Sequence, residues 1–535
     1  MSIDYSRHIT NMKFRENEEK RLAAEKRKQP GVAFPSAKKQ EHLLIIRLNL
    51  EPSAAKQITP VRRGLRRLCN LFDRIDKGSV KIDELLDNGT IERTPLSRFN
   101  FSATIGFGIG FFEKLKVNPN ARPRNLYEMP NHIGLLDPTQ YRLLQTDMII
   151  QLGSSKDFIN RWVFESDVYS PTVEEKKYYQ SKYDNSFSTR NQNHQKIDTD
   201  VHDIVTAIRD WAIVTDIHSG FQRIDGRNLM GFNDGSSNPD RLQNDVIWTT
   251  KEDEGDKLKD GTYMVFHKIT HDLEQWRRLS VREQERWVGR SKGTGLLLGT
   301  LPKDEDEKLA SDCKSEDPLV RKTALAKLKK LLDEQYDLDK VFGSNDPRFK
   351  NIQVECPIWS HIRKANPRGE GGVGGNKKIF RRGYLFMESS LDGRVSSGLL
   401  FICFQRNIIN GFEYIKKKFL NNKDFPVPEV RKNFTREELA ERHRYARFSE
   451  NELKRLGGTE RSALGLDSKA YREAIEEAQD PDSQNTGREG LAGPSKLGIK
   501  PRGEFLATVP LGGGYYFIPP IPNRNMTELG EQFFD

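Results

Sequence analysis

The sequence predicts an α+β fold built on ferredoxin-like units, in which antiparallel strands pack against helices. Two observations lead to this prediction. Residues 42–215 read in order as strand, helix, strand, strand and helix, which is the pattern of a ferredoxin-like sandwich. Strands and helices then alternate again over residues 261–420, although no sequence repeat is visible. The chain is therefore expected to contain two α+β units.

The first unit opens with a strand in HLLIIRLNLE (42–51). The segment VRRGLRRLCNLFDRI (61–75) follows, with apolar residues at helical spacing. These residues are Val61, Leu65, Leu68, Leu71, Phe72 and Ile75. FSATIGFGIGFFEKL (101–115) predicts a strand and a turn, and TDMIIQLGSS (146–155) predicts another strand. VHDIVTAIRDWAIVT (201–215) predicts a second amphipathic helix.

The second unit starts at GTYMVFHKITHDLEQWRRLS (261–280), which predicts a strand that runs into a helix. Two further strands are expected in IFRRGYLFMESS (379–390) and SGLLFICFQRN (397–407). A helix is expected in NGFEYIKKKFL (410–420). This second unit is therefore also of the α+β class.

The domain limits follow from this order and from three stretches that look inserted. The expected parts are a basic N-terminal arm (1–40), an N-terminal ferredoxin-like domain (41–250) with an insertion near 163–200, and a C-terminal domain (251–535) with insertions near 303–350 and 422–500. Within the second insertion Leu325, Leu328 and Leu332 form one helical stripe. For all three insertions the simpler interpretation is surface packing or a contact in a homo-oligomer.

Composition predicts a soluble protein without a membrane span. Of 535 residues, 35% are hydrophobic and 31% are charged, and no run of about eighteen apolar residues occurs. The N-terminus has no apolar stretch typical of an export signal, so a cytoplasmic location is expected. The four cysteines are far apart and form no CxxC pair. This excludes a zinc knuckle and a CxxCH haem attachment.

The formal net charge is +10, and residues 1–40 carry ten Lys and Arg against five Asp and Glu, or +5. A nucleic-acid partner must therefore be considered. Opposite charges are interleaved in the arm and no nucleic-acid-binding motif follows, which favours a solvated arm. The glycine-rich stretches GFGIGF (106–111) and GEGGVGGNK (369–377) lack the spacing of nucleotide-binding loops. The excess of basic over acidic residues also suits an anionic cofactor or substrate.

Asp234 lies between two glycines in GFNDGSSNP (231–239). An Asp-Gly pair is common in turns, because glycine tolerates positive φ and Asp bonds its own backbone. The same arrangement can hold an acid on a loop so that its carboxylate points at a ligand. Taken alone, the residue types favour the turn and leave the second interpretation open.

His361 lies in WSHIRKANPRGE, and Arg381 and Arg382 enter an apolar strand in RRGYLF twenty residues later. A lone histidine is more often structural than a ligand. Adjacent arginines entering an apolar strand need a partner, however, because a buried guanidinium is costly unless it is paired. An anionic group or a site for peroxide would supply the reason.

Together these residues give one carboxylate, one imidazole and one or two arginines near apolar strands. A haem peroxidase needs such a set. The iron takes a neutral imidazole on one side. The other side needs an acid/base group to move the peroxide proton and a cation to stabilise the departing oxygen.

Six blocks, in the same order along the chain, resemble the dye-decolourising peroxidase family. GFNDGSSNP is similar to the family's GFxDG signature, SHIRKANPR to its proximal histidine motif and IFRRGYLF to its distal arginine motif. The strand–helix block DGTYMVFHKITHDLEQWRRLSVREQERWVGRSK and the strands GLLFICFQRNI and LGGGYYFIPP are also similar. The resemblance covers roughly residues 42–160, 201–300, 352–420 and 503–521.

The resemblance implies two ferredoxin-like domains of the dimeric α+β barrel type and one b-type haem. It implies that Asp234 is the distal acid/base and Arg381 the distal cation. The implied haem contacts are His361 on the iron, Leu399 and Phe401 over the distal face, and Arg363 and Arg368 on the propionates. An aspartate as acid/base predicts an acidic optimum, because its reference pKa is about 4.

One departure concerns the acid that bonds the far nitrogen of the axial histidine. In FQRNI the family often has an aspartate where this chain has Asn407. The acid is therefore unassigned, and Glu504 is a candidate. Because such partners tune the metal, the sequence alone does not predict how the iron is tuned.

The expected function is haem-dependent reduction of hydrogen peroxide with oxidation of bulky organic donors such as dyes or phenolics. The alternative is a haem carrier or an iron-extracting, deferrochelatase-like protein on the same fold. Because the distal side looks small and apolar, bulky donors are expected to react at the surface, through oxidisable side chains. The candidates are Trp276, Trp287, Trp359, Tyr515 and Tyr516. For any one of them, core packing is the simpler interpretation.

Overall fold

The computed structural model describes most of both units and some of the segments that connect their strands. The described ranges are 27–33, 40–85, 90–130, 143–165, 203–233, 238, 245–335, 341, 346–357, 360–365, 377–389, 395–420, 508–522 and 526–534. Asp234 and Arg368 lie outside these ranges, as do Trp359 and Glu504. Most of the insertion near 163–200 and all of the insertion near 422–500 also lie outside them.

Strands and helices alternate along the described ranges. The strands are β1 (His42–Leu50), β2 (Lys81–Leu85), β3 (Ile91–Pro95), β4 (Ser102–Phe107), β5 (Met148–Ser154), β6 (Ala212–Phe221), β7 (Thr262–His271), β8 (Phe380–Arg381), β9 (Tyr384–Ser389), β10 (Val395–Gln405) and β11 (Thr508–Ile518). The α-helices are α1 (Pro30–Ala33), α2 (Ile58–Asp76), α3 (Ile109–Lys114), α4 (Asp157–Phe164), α5 (Ile204–Ile208), α6 (Lys251–Glu254), α7 (Leu273–Arg278), α8 (Val281–Val288), α9 (Lys303–Asp312), α10 (Pro318–Glu334), α11 (Lys350–Glu355) and α12 (His361–Lys364). Two π-helical segments, Ile409–Glu413 and Ile415–Leu420, follow β10.

Eight antiparallel strands close into a barrel made of two ferredoxin-like halves. The N-terminal half has the order β4-β5-β1-β6, and the C-terminal half has the order β11-β7-β10-β9. Numbered within each half, both orders are the 4-1-3-2 arrangement of a ferredoxin-like sheet. The halves meet at two seams, where Phe517 pairs with Phe107 and Phe221 pairs with Leu385. The α+β, ferredoxin-like prediction is confirmed, whereas the sequence-based domain limits stay predictions.

Two predicted elements are wrong in type. Helix α3 (Ile109–Lys114) follows β4 where a turn was expected. The helix expected over residues 201–215 is limited to α5 (Ile204–Ile208), and β6 begins at Ala212. The β-branched residues Ile213, Val214 and Thr215 favour an extended chain. Strand β1 then offers an unpaired edge with which β6 pairs along its length. Tertiary pairing therefore overrides the helical periodicity.

Side chains on each strand alternate between the barrel interior and the helices outside it. On β1, Leu43 and Ile45 belong to the interior cluster, whereas Leu44, Ile46 and Leu48 face α2 and the other helices of the first unit. Helix α2 buries all the apolar residues of the predicted stripe. Burying each such side chain contributes roughly 1.5–3 kcal/mol. This packing holds the helical layer against the outer face of the barrel.

Charged residues occupy one end of the barrel interior and connect the two halves. Arg47 on β1 is 1% exposed and donates to Asp216 on β6 over 3.1 Å. Asp216 also contacts His218 Nε2 at 3.0 Å. Lys268 on β7 donates to Glu388 on β9 at 2.6 Å and lies 3.4 Å from His218 Nδ1. The cluster therefore spans the β6–β9 seam.

The described part of the second insertion packs on its own chain. Helices α9 and α10 enclose a small apolar cluster in which Leu328 is buried and Leu325 and Leu332 pack beside it. The predicted leucine stripe thus covers Leu296, which follows the end of α8. Among the described residues, no helix has the length and apolar character that crossing a membrane requires.

Candidate functional site

Strand β10 runs through the centre of the C-terminal half and presents two different faces. Leu400 and Ile402 point into the barrel and are fully buried. Leu399 and Phe401 point outward and are only half-buried, although β10 is paired on both sides with β7 and β9. Among the described residues, the outward face is therefore incompletely covered at the two positions predicted to lie over the haem.

Arg381 and Arg382 point to opposite faces of the sheet. Strand β8 pairs with β10 so that Arg381 is opposite Cys403, the next outward residue after Phe401. Burial raises the pKa of the Cys403 thiol, and the nearby charge of Arg381 opposes that rise. Arg382 points to the interior, is fully buried and donates to the Gln40 side chain. The first arginine therefore shares the outward face, and the second supports the barrel.

Asn238 connects the GFNDGSSNP segment to Arg381. Its side-chain amide donates to the Arg381 carbonyl at 2.8 Å, and its oxygen accepts from the Arg381 backbone N–H at 3.0 Å. Asp234 lies outside the described residues, so its place in the site stays a prediction.

His361 is the first residue of the short helix α12, and its side chain is half-buried. Before the helix, Ser360 closely approaches Gly289, as does Ile362 within the helix. After the helix, Ala365 packs against the apolar cluster of Ile415 and Leu420, and so does Ile379. Ile379 lies two residues before Arg381 in the chain. Helix α12 and the segment that leads into the strand with Arg381 therefore pack against the same apolar cluster.

Arg363, predicted to bind a propionate, is 5% exposed. Its Nη1 donates to the Cys356 carbonyl at 2.6 Å, which ties α12 to the end of α11. This contact gives Arg363 a structural role, and a role toward a propionate stays a prediction. Arg368 lies outside the described residues, so its predicted role is not placed.

An aromatic cluster adjoins the outward face, and its members Phe412 and His267 were not singled out from the sequence. The Phe412 ring lies 5.7 Å from Phe401, 6.2 Å from His267 and 6.2 Å from Tyr515, measured between ring centroids. Glu413 follows Phe412, is 3% exposed and accepts from the Tyr515 hydroxyl at 3.1 Å. A glutamate within the apolar run NGFEYI is the signal that could have identified this cluster.

A surface cavity of about 570 Å³ lies elsewhere, between α8 and α9. Charged residues of both signs line it, among them Arg282, Glu285 and Lys303. None of the predicted site residues contributes to it. The cavity therefore has no part in the chemistry considered for β10.

Comparison with known proteins matches the region that contains these features. Residues 225–426 match the family model described as Dyp-type peroxidase, C-terminal. This part of the chain is therefore similar to the C-terminal domain of Dyp-type peroxidases. The domain contains the segment with Asn238, the helix with His361 and the strands with Arg381, Leu399 and Phe401. The predicted family resemblance is therefore confirmed.

Two curated proteins to which this chain is similar are named deferrochelatase. The protein of Escherichia coli O157:H7 is 28% identical over 197 residues, which are 36% of this chain and 37% of the relative. The protein of Escherichia coli strain K12 matches with the same identity and the same shares. The chain thus matches less than half of the length of these relatives.

Solved structures of DyP-type peroxidases are also similar. The enzyme from Cellulomonas bogoriensis has a TM-score of 0.47 at 20% identity, over 73% of this chain and 86% of that chain. The encapsulated DyP-type peroxidase from Mycobacterium smegmatis has a TM-score of 0.45 at 16% identity, over 93% of this chain and 97% of that chain. The fold described here rests on the chain's own strand order.

Proposed function

We propose that the chain is a haem-dependent peroxidase that reduces hydrogen peroxide and oxidises bulky organic donors. The observation that carries the proposal is the outward face of β10. The half-buried side chains of Leu399 and Phe401 share that face with Arg381, and Asn238 ties Arg381 to the segment that contains Asp234. This arrangement suits a planar apolar cofactor with a small oxidant bound beside it.

The chemistry of these side chains fits one b-type haem. The His361 imidazole would bind the iron, as a neutral imidazole does in many haem proteins. Leu399 and Phe401 would cover the distal face, and Arg363 and Arg368 are the candidates for the propionates. When bound, haem would supply an iron that binds peroxide and is oxidised by it.

The distal side chains would move a proton and stabilise charge. The Asp234 carboxylate would take the proton from the inner oxygen of hydrogen peroxide and return it to the outer oxygen, which leaves as water. The Arg381 guanidinium would stabilise the negative charge that develops on the leaving oxygen. The acid/base group works in its ionised form, so activity is expected to persist at acidic pH, near the aspartate reference pKa of about 4.

The proximal side of the site departs from the family pattern. The Asn407 side chain accepts from the Asn410 backbone N–H at 2.9 Å, at the start of the π-helical segment. Glu504, the other candidate to partner His361, lies outside the described residues. The acid that would orient the His361 ring is therefore unassigned, and the iron is expected to be tuned differently from that in relatives with an aspartate.

The second candidate function is haem carriage or iron extraction on the same fold. The observation that favours it is the match to deferrochelatases over 36% of this chain. In that case Asp234 and Arg381 would be structural, and peroxide would not be turned over. Both candidates require a bound haem.

The experiment is a visible spectrum of the purified full chain after haem supply, followed by stopped-flow mixing with hydrogen peroxide. Peroxidase function predicts a Soret band that shifts rapidly with peroxide, and turnover of a bulky dye. A Soret band without peroxide turnover, accompanied by release of iron, would favour the second candidate. Absence of a Soret band would remove both.

A further inference from the structure

Arg382 carries a charge that no carboxylate of the described residues neutralises. Its side chain points into the barrel and is 2% exposed. Burial lowers the pKa of Arg382, and the interaction that opposes this effect comes from the Tyr384 hydroxyl rather than from an acid. An arginine nevertheless stays protonated in proteins. One positive charge is therefore buried in the barrel interior, which is costly unless an anionic group lies beside it.

Gln40, which accepts a hydrogen bond from Arg382, is a neutral partner. Its Nε2 donates to the Asn100 carbonyl at 2.5 Å, to Ser102 Oγ at 2.7 Å and to the Gly153 carbonyl at 3.1 Å. These three acceptors fix the orientation of the amide, so its oxygen faces the guanidinium and accepts from Nη2. An amide oxygen supplies a hydrogen bond but no negative charge.

Two further donors lie beside each other in the same place. Arg382 Nε and the Tyr384 hydroxyl are both buried, and neither makes a hydrogen bond of good geometry among the described residues. Burial raises the pKa of Tyr384, so its hydroxyl keeps its proton and can donate. Buried polar groups in native proteins are usually satisfied by protein, water or an ion. The site therefore combines two donors with a positive charge and needs an acceptor.

The interior carboxylates described above already pair with other cations. Asp216 pairs with Arg47 at 3.1 Å, and Glu388 pairs with Lys268 at 2.6 Å. Arg47 follows Gln40 by seven residues, and a strand rises about 3.3 Å per residue. These ion pairs therefore lie toward the other end of the barrel from Arg382, and they are balanced without it.

We propose that Arg382 and Tyr384 form a binding site for a small monovalent anion, such as chloride, inside the barrel. The anion accepts from Arg382 Nε and the Tyr384 hydroxyl, and its charge neutralises the guanidinium. A single negative charge matches the site, because a divalent oxyanion would bury a second charge with no cation to balance it. The proposal does not depend on the peroxidase function.

An anion at this position also stabilises the contact between the two halves of the barrel. Gln40 directly precedes the first strand of the N-terminal half, and Arg382 lies between two strands of the C-terminal half. Their side chains meet in the interior. Neutralising the guanidinium removes the cost of burying it there, so anion binding is expected to favour the folded barrel.

Urea unfolding of the full chain at different chloride concentrations tests the site. Ionic strength is held constant with sodium gluconate, whose anion is much larger than chloride. A ligand that binds only the folded state stabilises it according to the ratio of its concentration to its dissociation constant. In the wild type, each tenfold increase in chloride above the dissociation constant should therefore lower the equilibrium constant for unfolding about tenfold.

Two variants and a matched control assign the effect to the site. Arg382→Met should lose the chloride dependence. Tyr384→Phe removes one donor and keeps the charge, so the dependence should shift to higher chloride concentrations. Arg47→Met is the control, because Arg47 is also buried in the barrel but pairs with Asp216. It should be less stable than the wild type and keep the chloride dependence.

Crystals grown in sodium bromide locate the anion directly, because bromide scatters anomalously. The expected result is an anomalous peak in contact with Arg382 Nε and the Tyr384 hydroxyl oxygen, weakened in Tyr384→Phe. This measurement and the Tyr384→Phe titration decide the question if Arg382→Met does not fold. A chloride dependence in Arg382→Met equal to that of the wild type would overturn the proposal. So would a water molecule, with no anomalous signal, between the two donors.

Discussion

Asn238 and Arg381 are joined by two hydrogen bonds that run in opposite directions between one side chain and one backbone unit. The distances are 2.8 Å and 3.0 Å. A primary amide matches a backbone C=O and N–H in this way, as a neighbouring strand would. Asn238 therefore fixes the end of the GFNDGSSNP segment against the strand that carries Arg381.

Replacing Asn238 by Ala should slow the reaction with peroxide more than it affects folding. Each lost hydrogen bond costs roughly 0.5–1.5 kcal/mol of stability. Because catalysis depends on exact placement of the acid and the cation, the peroxide rate should fall about tenfold or more. Stopped-flow absorbance and urea unfolding measure the two effects. Asn351→Ala is the control, since Asn351 also donates its amide to a backbone carbonyl, that of Gly299.

His361→Ala should lose most of the bound haem, or leave a site that added imidazole restores. The reason is that His361 is the histidine in the matching motif, and its half-buried side chain can accept a large ligand. The Soret absorbance per chain, with and without imidazole, measures the effect. His42→Ala is the control on β1, in the other half of the barrel. Full haem occupancy with an unchanged spectrum in His361→Ala would contradict the assignment.

Asp234→Asn and Arg381→Leu should retain haem but react slowly with peroxide. General acid–base help is typically worth about 10²–10⁴-fold, and loss of one charge-stabilising group is comparable. Stopped-flow formation of the oxidised state measures both. The exposed ion pair of Arg223 and Asp225 gives matched controls, as Asp225→Asn and Arg223→Leu. Unchanged rates in both site variants would mean that the distal roles are wrong.

The periodicity of apolar residues correctly predicted the elements whose packing depends on residues close by in the sequence. The apolar stripe of α2 is buried as expected, and the alternation on β10 places Leu399 and Phe401 on one face. The prediction was wrong for the chain after Ile208, because the pairing of β6 with β1 depends on residues far away in sequence.

Several parts of the site could not be predicted because they arise from long-range contacts. The bonds of Asn238 join residues 143 positions apart. The contact of Glu413 with Tyr515 joins residues 102 positions apart. Closure of the barrel depends on two seams, such as the pairing of Phe221 with Leu385. Composition and spacing carry no information on such pairs, whereas motif resemblance locates the residues but not their partners.

Asp216→Asn should destabilise the protein at neutral pH and reduce its loss of stability in acid. Burial alone would raise the pKa of Asp216, but the hydrogen bond with His218 and the charge of Arg47 outweigh it and lower the pKa. The ionised carboxylate thus stabilises the fold above its ordinary pKa of about 4, and this contribution disappears as the pH falls through the lowered value. The cost at neutral pH should be below the roughly 3–5 kcal/mol of fully buried pairs, because Asp216 is 22% exposed.

Urea unfolding from about pH 7 to about pH 3 measures this effect around the ordinary carboxylate pKa. The difference between wild type and Asp216→Asn should shrink as the pH falls below about 4. Asp210→Asn, which removes the exposed partner of Arg67, should change stability by less than about 1 kcal/mol. A constant difference across the whole range would show that the carboxylate charge is not the stabilising feature.

Gly289→Ala should destabilise the protein and weaken haem binding through α12. Gly289 has a φ of 95°, and a Cβ there would lie 2.5 Å from Ile362 Cγ2 and 2.7 Å from Ser360 Oγ. Ile362 and Ser360 flank His361, so relieving the overlap must move the helix that holds the predicted iron ligand.

Gly255→Ala is a matched control, because Gly255 has a φ of 78° and nothing within 4 Å of the added atom. The control should cost only the backbone strain, roughly 1–3 kcal/mol, and leave haem affinity unchanged. Gly289→Ala should cost more in urea unfolding and release haem faster. Equal effects of the two substitutions on haem release would show that Gly289 does not position His361.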